Sequence, residues 1–199
     1  MKVACSLTLS LLVGAMATPA AAEALPGLFA SGSSWFDFAV FGACVPYLKE
    51  GGTLLSHTEG IGREEALNKV PAIHLAGSGP FWVGIGRPGS DNCFVVKSLG
   101  SSADARRDLL DAFAKRGVKL EPMVDPGKPQ PSSALRLPES QRPPVFESYC
   151  FRTDDRVMLA SLLTTTHGYL STGFQHTPLE LRLSWDKAQN AAKLGRCTG

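Results

Sequence analysis

Four cysteines, Cys44, Cys93, Cys150 and Cys197, constrain this chain more than any other feature, because they stand tens of residues apart and their pairing decides which distant segments must meet. An even number of separated cysteines in an exported chain reads as a disulfide framework. Structural zinc needs close pairs such as C-x-x-C, and a thiol–disulfide oxidoreductase needs the same motif; that spacing does not occur among these four. Four cysteines permit three pairings. The pairing predicted is Cys44 with Cys93 and Cys150 with Cys197, so that each bridge staples its own half of the chain. Closing a loop that long removes about 4 kcal/mol of unfolded-state freedom.

The export premise comes from the N-terminus. Lys2 precedes the apolar run "VACSLTLSLLVGAMA" and the small-residue stretch "TPAAA". This is the pattern of a secretory signal peptide with cleavage after Ala22. The run is shorter than the ~20 residues that cross a bilayer. Cys5 sits at its start, where lipidation does not occur, and no twin-arginine pair precedes it. The short basic region and Ala-rich end favour a bacterial periplasmic or secreted protein. Removing residues 1–22 from the 199-residue chain leaves 177, enough for one well-buried domain, and no second apolar span follows. Cleavage also removes Lys2 and no acid, so the formal charge falls from +2 to +1. The remaining charges are scattered: "ARRDLLDAFAKRG" balances its bases with two aspartates. Nucleic acid, which demands a concentrated basic stripe, is therefore not an expected partner.

The order of elements predicts an α+β fold, a mainly antiparallel sheet with two or three helices packed on one face and stapled by disulfides. A helix starts at Ser34 as N-cap with Asp37 as its capping-box partner, and runs from Trp35 to Gly51-Gly52 with Cys44 facing the core. Pro46 kinks its last turn or ends it early. A short polar helix, "REEALNKV", follows at residues 63–70. "FWVGIGR" and "CFVVKSLG" form a hairpin, and the next helix is capped by Ser101 with Asp104 and stopped by Gly117. "VKLEPMV" returns as a strand. Residues 125–145 carry six prolines and read as a linker or long loop between an α+β half (23–124) and a β-rich half (146–199), the halves joining in one compact domain. In the second half "FESYCFRT" and "RVMLASLLTTT" form a hairpin around Asp154-Asp155. "VMLASLL", apolar on both parities, is a central strand, "LELRLSW" a half-buried one, and "DKAQNAAKLG" a terminal helix. The halves share only a cysteine at the start of an aromatic-apolar strand, "NCFVV" and "SYCFR".

No motif for catalysis emerges. Gly84, Gly86 and Gly89 match G-x-G-x-x-G, but Pro88 lies inside the motif and a β-branched run follows where a dinucleotide site needs a helix. "GRPGSDN" is thus the loop of a hairpin, and no cofactor is expected. His57, His74, His167 and His176 include no i, i+4 pair; His57 near Glu59 reads as a solvated loop. Ser78 in "GSGP" reads as an exposed serine before a strand, without the nucleophile-elbow motif. Glu64-Glu65 and Asp154-Asp155 are adjacent residues that point apart. Among the aromatics Trp35, Trp82, Tyr149, Tyr169 and Phe174, the segment "THGYLSTGF" is the favoured exposed binding loop, with His167, Tyr169, Phe174 and His176 as its candidate residues.

"FGACVPYL", "FWVG", "NCFVV" and "ADARRDLLDAFAKRG" together resemble small exported bacterial proteins of an uncharacterised family, over residues 36–116. The resemblance implies an envelope location and assigns no site. The function expected is a non-enzymatic binding module with a protein or envelope partner. The alternative is a hydrolase or other enzyme whose polar groups converge only in three dimensions.

Overall fold

The computed structural model describes residues 26–27, 30–58, 60–67, 70–78, 80–85, 91–123, 145–153, 156–164 and 179–185. Among these residues eight antiparallel strands form one sheet: β1 (Gly62–Leu67), β2 (Val70–Leu75), β3 (Phe81–Ile85), β4 (Asn92–Lys97), β5 (Glu121–Pro122), β6 (Val145–Thr153), β7 (Arg156–Thr164) and β8 (Leu179–Ser184). Their spatial order is β1-β2-β3-β4-β8-β7-β6-β5. The described residues of the stretches 31–97 and 101–184 each form a helical segment followed by four strands, and the last strands of the two, β4 and β8, pair at the centre. The two cysteine-bearing strands likened in the sequence are not equivalent in this duplication. Cys93 lies in the fourth strand of its meander and Cys150 in the second.

The first helical segment begins earlier than its sequence suggests. Helix α1 (Gly32–Asp37) is capped by Ser31, whose hydroxyl accepts from the Ser34 amide; Ser34 is inside the helix. Asp37 is free of any capping duty and binds Arg116 instead. Phe38–Cys44 is a π-helical stretch, and α2 (Val45–Glu50) continues it. The last wide bond runs from the Val45 amide to the Val40 carbonyl. Pro46, which has no amide hydrogen, falls at the changeover, so the ladder loses its bond where the bonding pattern is already switching. The proline thus opens α2 rather than breaking the helix.

Helix α3 (Ser102–Lys115) follows its sequence signals. Ser101 Oγ accepts from the Asp104 amide at 3.0 Å. At the other end Gly117 has φ +66°, its amide bonds the Ala114 carbonyl, and the Val118 amide bonds that of Phe113. Glycine is needed there because a left-handed residue lets both amides turn back on the open carbonyls.

Residues 63–70 correct the helix predicted for them: "REEALNKV" spans the hairpin of β1 and β2, with Leu67 paired to Val70. Eight residues make barely two turns, and a polar helix that short has neither length nor apolar face to hold it. Strand pairing satisfies the same amides, and the exposed Arg63, Glu64 and Glu65 place charge on a sheet edge, which discourages further strand addition. The predicted β3–β4 hairpin forms, with Ile85 opposite Cys93. The strand predicted over residues 118–124 is reduced to the two residues of β5.

Alternation along each strand sends one set of side chains toward the helices. Ile73, Val83, Val95, Leu181 and Leu162 form one lateral row of that face across five strands, all buried. Against it pack Phe36, Val40, Ala43, Leu109, Ala112 and Phe113. Phe41, Phe113 and Phe151 meet edge to face, with centroids 5.0–6.2 Å apart, and join α3 to β6 through the π segment. Cys44 is bonded to Cys93 with Cα atoms 5.5 Å apart, so the π segment is tied directly to β4 as predicted. Cys150 is also disulfide-bonded; Cys197 lies outside the described residues. On the opposite face Ala72, Phe94 and Val96 form a smaller buried cluster with Trp82. Gly84 sits directly opposite Phe94, and a Cβ there would run into its ring. The first glycine of the apparent nucleotide motif thus makes room for a cross-strand aromatic.

Candidate functional site

The chemistry-bearing side chains that the fold gathers lie in two places. The first is the contact of α3 with β6. Arg106 donates from Nε to Glu147 Oε2 at 3.2 Å and from Nη2 to Glu147 Oε1 at 2.9 Å and Tyr149 Oη at 3.0 Å, while Tyr149 Oη donates to Glu147 Oε1 at 2.7 Å. The hydrogen bond to Glu147 holds the Arg106 guanidinium charged above its ordinary range. Burial works against the Glu147 carboxylate, but hydrogen bonds from Arg106 and Tyr149 outweigh it and lower its pKa. Burial and the neighbouring carboxylate raise that of the Tyr149 phenol. Both shifts move away from neutrality, opposite to what a general acid or base requires. The trio is a closed clamp between helix and sheet.

The second place is the end of the sheet where the C-termini of α2 and α3 meet the β6–β7 hairpin. Two shallow clefts adjoin there, of about 320 Å³ and about 230 Å³, sharing Val118 and Arg152 in their walls. Phe41, Val45 and Pro46 give the larger one an apolar side; Phe151 and Val157 do so for the smaller. The helix ends explain several of the bases nearby, since cations stabilise the open carbonyls at a C-terminus. Arg156 Nη1 donates to the carbonyls of Leu48 and Lys49 at 3.4 and 3.2 Å, with its guanidinium 3.7 Å from the Trp185 ring centroid. Arg116 forms a bidentate pair with Asp37 at 2.6 and 2.8 Å and lies over the Phe41 ring. Arg152 is exposed and has no ion pair among the described residues.

Most residues singled out in the sequence sit elsewhere. His167, Tyr169, Phe174 and His176, the favoured binding loop, lie outside the described residues, as do Glu59, Asp154 and Asp155 and the leader through Ala22. Trp35 is buried in the core, and Trp82 stacks on His74 with centroids 4.4 Å apart. His57 Nε2 lies 3.0 Å from the Gly51 carbonyl oxygen. Ser78 is not the exposed serine expected: it is buried, donates to the Leu75 carbonyl at 2.6 Å and accepts from the Phe81 amide at 3.1 Å, pinning the β2–β3 turn. Among the described residues no three potential metal ligands converge. None of their helices is long and apolar enough to cross a membrane. Arg152 and the Arg106 clamp were not singled out in the sequence; the signal for Arg152 is a base beside a hairpin turn, "CFRTDDR", which many surface turns share. No family model, curated protein or solved structure matches this chain.

Proposed function

We propose that this protein is an exported, non-enzymatic binding protein of the bacterial envelope, similar to the small exported proteins its residues 36–116 resemble, with residues 1–22 removed as a signal peptide. The two adjoining clefts support the binding half of this reading: they are concave and bring apolar and charged residues together, the combination that holds and orients a ligand. The Cys44–Cys93 bridge supports the export half, since disulfides persist in oxidising compartments.

The test is purification of the native protein from the envelope fraction of its own cells under oxidising conditions, followed by N-terminal sequencing and native mass spectrometry. The expected result is a chain beginning at Glu23 that carries a bound molecule in stoichiometric amount. A chain retaining Met1 in the cytoplasmic fraction overturns export, and ligand-free protein that turns over a hydrolase substrate overturns the binding reading.

A further inference from the structure

We propose that Cys150 is bonded to Cys197 and that residues 186–199 are thereby held as a strap over one end of the sheet face turned away from the helices. Cys44, Cys93 and Cys150 are all disulfide-bonded, and the first two hold each other. The sequence has five cysteines, so the partner of Cys150 is Cys5 or Cys197. The choice between them rests on the reading of the protein as exported: Cys5 lies in the leader that export removes, which leaves Cys197. In forming the bond two thiols become one disulfide. Their two protons and two electrons pass, by thiol–disulfide exchange, to a disulfide-bearing oxidant of the compartment, which leaves as a dithiol.

The place of the strap follows from strand alternation. Glu147 is bound by Arg106 of α3 and Phe151 packs in the core beneath the helices, so Cys150, of opposite parity, is on the other face. There Cys150, Leu159 and Ser184 form one row across β6, β7 and β8. In the next row along, Ser148 and Ser161 are exposed. In the Cys150 row nothing is: Cys150 is 1% exposed, and Leu159 and Ser184 are half-buried. Yet Cys150 belongs to neither apolar cluster formed among the described residues. The strap supplies the missing cover. Its segment leaves β8 at this very row, just after Trp185, whose amide is bonded to the Asp91 carbonyl. Residues 165–178 leave from the far end of β7, where Thr164 pairs with Leu179. From Ser184 to Cys150 is two strand spacings, about 10 Å. The twelve residues 186–197 span up to about 40 Å, so they reach Cys197 with chain to spare for lying on the face.

The test has two parts, both on the mature protein purified under oxidising conditions. Tryptic mapping without reduction is expected to give peptide 137–152 linked to the peptide that begins at Cys197; the Arg142–Pro143 bond stays uncut. In brief digestion of the folded protein, cleavage after Lys187 and Lys193 should be at least about tenfold slower than in a synthetic peptide of residues 183–199. The double variant Cys150→Ala/Cys197→Ala should lose that protection while cleavage after Arg107, inside α3, stays slow and shows that the variant is folded. Should it not fold, the comparison with the synthetic peptide still decides whether the segment is covered. Cys150 linked to any other cysteine, or alkylated without reduction, overturns the proposal. So does cleavage as fast in the protein as in the peptide, or protection that persists in the folded double variant. Cys150 linked to Cys5 in a chain retaining Met1 overturns the export reading as well, whereas an alkylated Cys150 in a chain beginning at Glu23 refutes the strap and leaves that reading standing.

Discussion

Replacing both Cys44 and Cys93 by alanine removes the cross-link without placing new polar atoms in the core, and its cost follows from chain statistics. The bridge spans a sequence separation of 49. The loop-closure relation for a loop of that length gives about 14 cal/mol/K, or about 4 kcal/mol at 25 °C. Both sulfurs belong to fully buried residues, so two alanines also leave small voids, which add to the loss. For a chain of this size 4 kcal/mol corresponds to a fall in Tm of roughly 8–16 °C. Urea unfolding followed by circular dichroism measures the free energy and its slope together. An unfolded chain released from the cross-link exposes more surface, so the slope m should rise as the midpoint falls. The double variant is preferable to a reducing agent, which would also open the bridge at Cys150. A loss below about 1 kcal/mol with an unchanged slope would refute the argument, because it would mean that the unfolded chain gains nothing from its freedom.

Glu147 has a folded pKa below its ordinary value, so its clamp stabilises the fold fully above the usual glutamate range and is lost as pH falls through the folded value. The advantage of the wild type over Glu147→Gln, about 1 kcal/mol for a partly exposed pair, should therefore disappear between about pH 5 and pH 3. A Tm difference that stays constant across that range contradicts the assignment. Gly84→Ala should cost about 1–3 kcal/mol because its methyl meets the Phe94 ring, and Phe94→Leu in the same chain should recover part of that loss, read by denaturant unfolding. Ser101→Ala should lower stability by about 1 kcal/mol through loss of the α3 cap, with Ser101→Asp close to wild type in the same assay. Leu181→Ala, in the fully packed β8, should cost about 2–5 kcal/mol and shift a single calorimetric transition; two separate transitions would show that the halves unfold independently.

Much of the fold was legible where the signal is local. Ser101 and Gly117 mark α3 because a cap and a left-handed residue solve a problem set within one turn of helix. β3 and β4 were readable from β-branched runs on either side of a turn, and the Cys44–Cys93 pairing from the spacing of the cysteines along the chain. The misreadings arose where context overrides propensity. "REEALNKV" has the composition of a helix and pairs as an edge strand because β2 lies beside it. Ser34 and Asp37 have capping-box spacing, yet Ser31 takes the cap and Asp37 is drawn to Arg116, 79 residues away. Sequence distance also hid the candidate site. Arg106 reaches Glu147 and Tyr149 across 41 and 43 residues, and Arg152 comes to border the same cleft as Phe41 and Val45 only when α2 and the β6–β7 hairpin come to one end of the sheet.

The pairing of β4 with β8 connects these observations. Taken alone, each four-stranded meander would end in a sheet edge carrying a row of apolar residues: Cys93 and Val95 on β4, and Leu179, Leu181 and Leu183 on β8, all buried here. Such an edge is exposed to wrong pairing. Joining the two edges removes both at once and fixes the register, with Cys93 opposite Leu183 and Val95 opposite Leu181. The disulfide at Cys93 holds β4 against the π segment, so the strand that β8 must find is already positioned by a bond outside the sheet. The same join sets the ends of the two helical segments near the outlying hairpin formed by β6 and β7, where α2 gives its carbonyls to Arg156 and the larger cleft opens. The candidate site is therefore a consequence of how the chain is joined: Phe41 and Val45 come from the first helical segment, Val118 from the segment after α3 and Arg152 from β6.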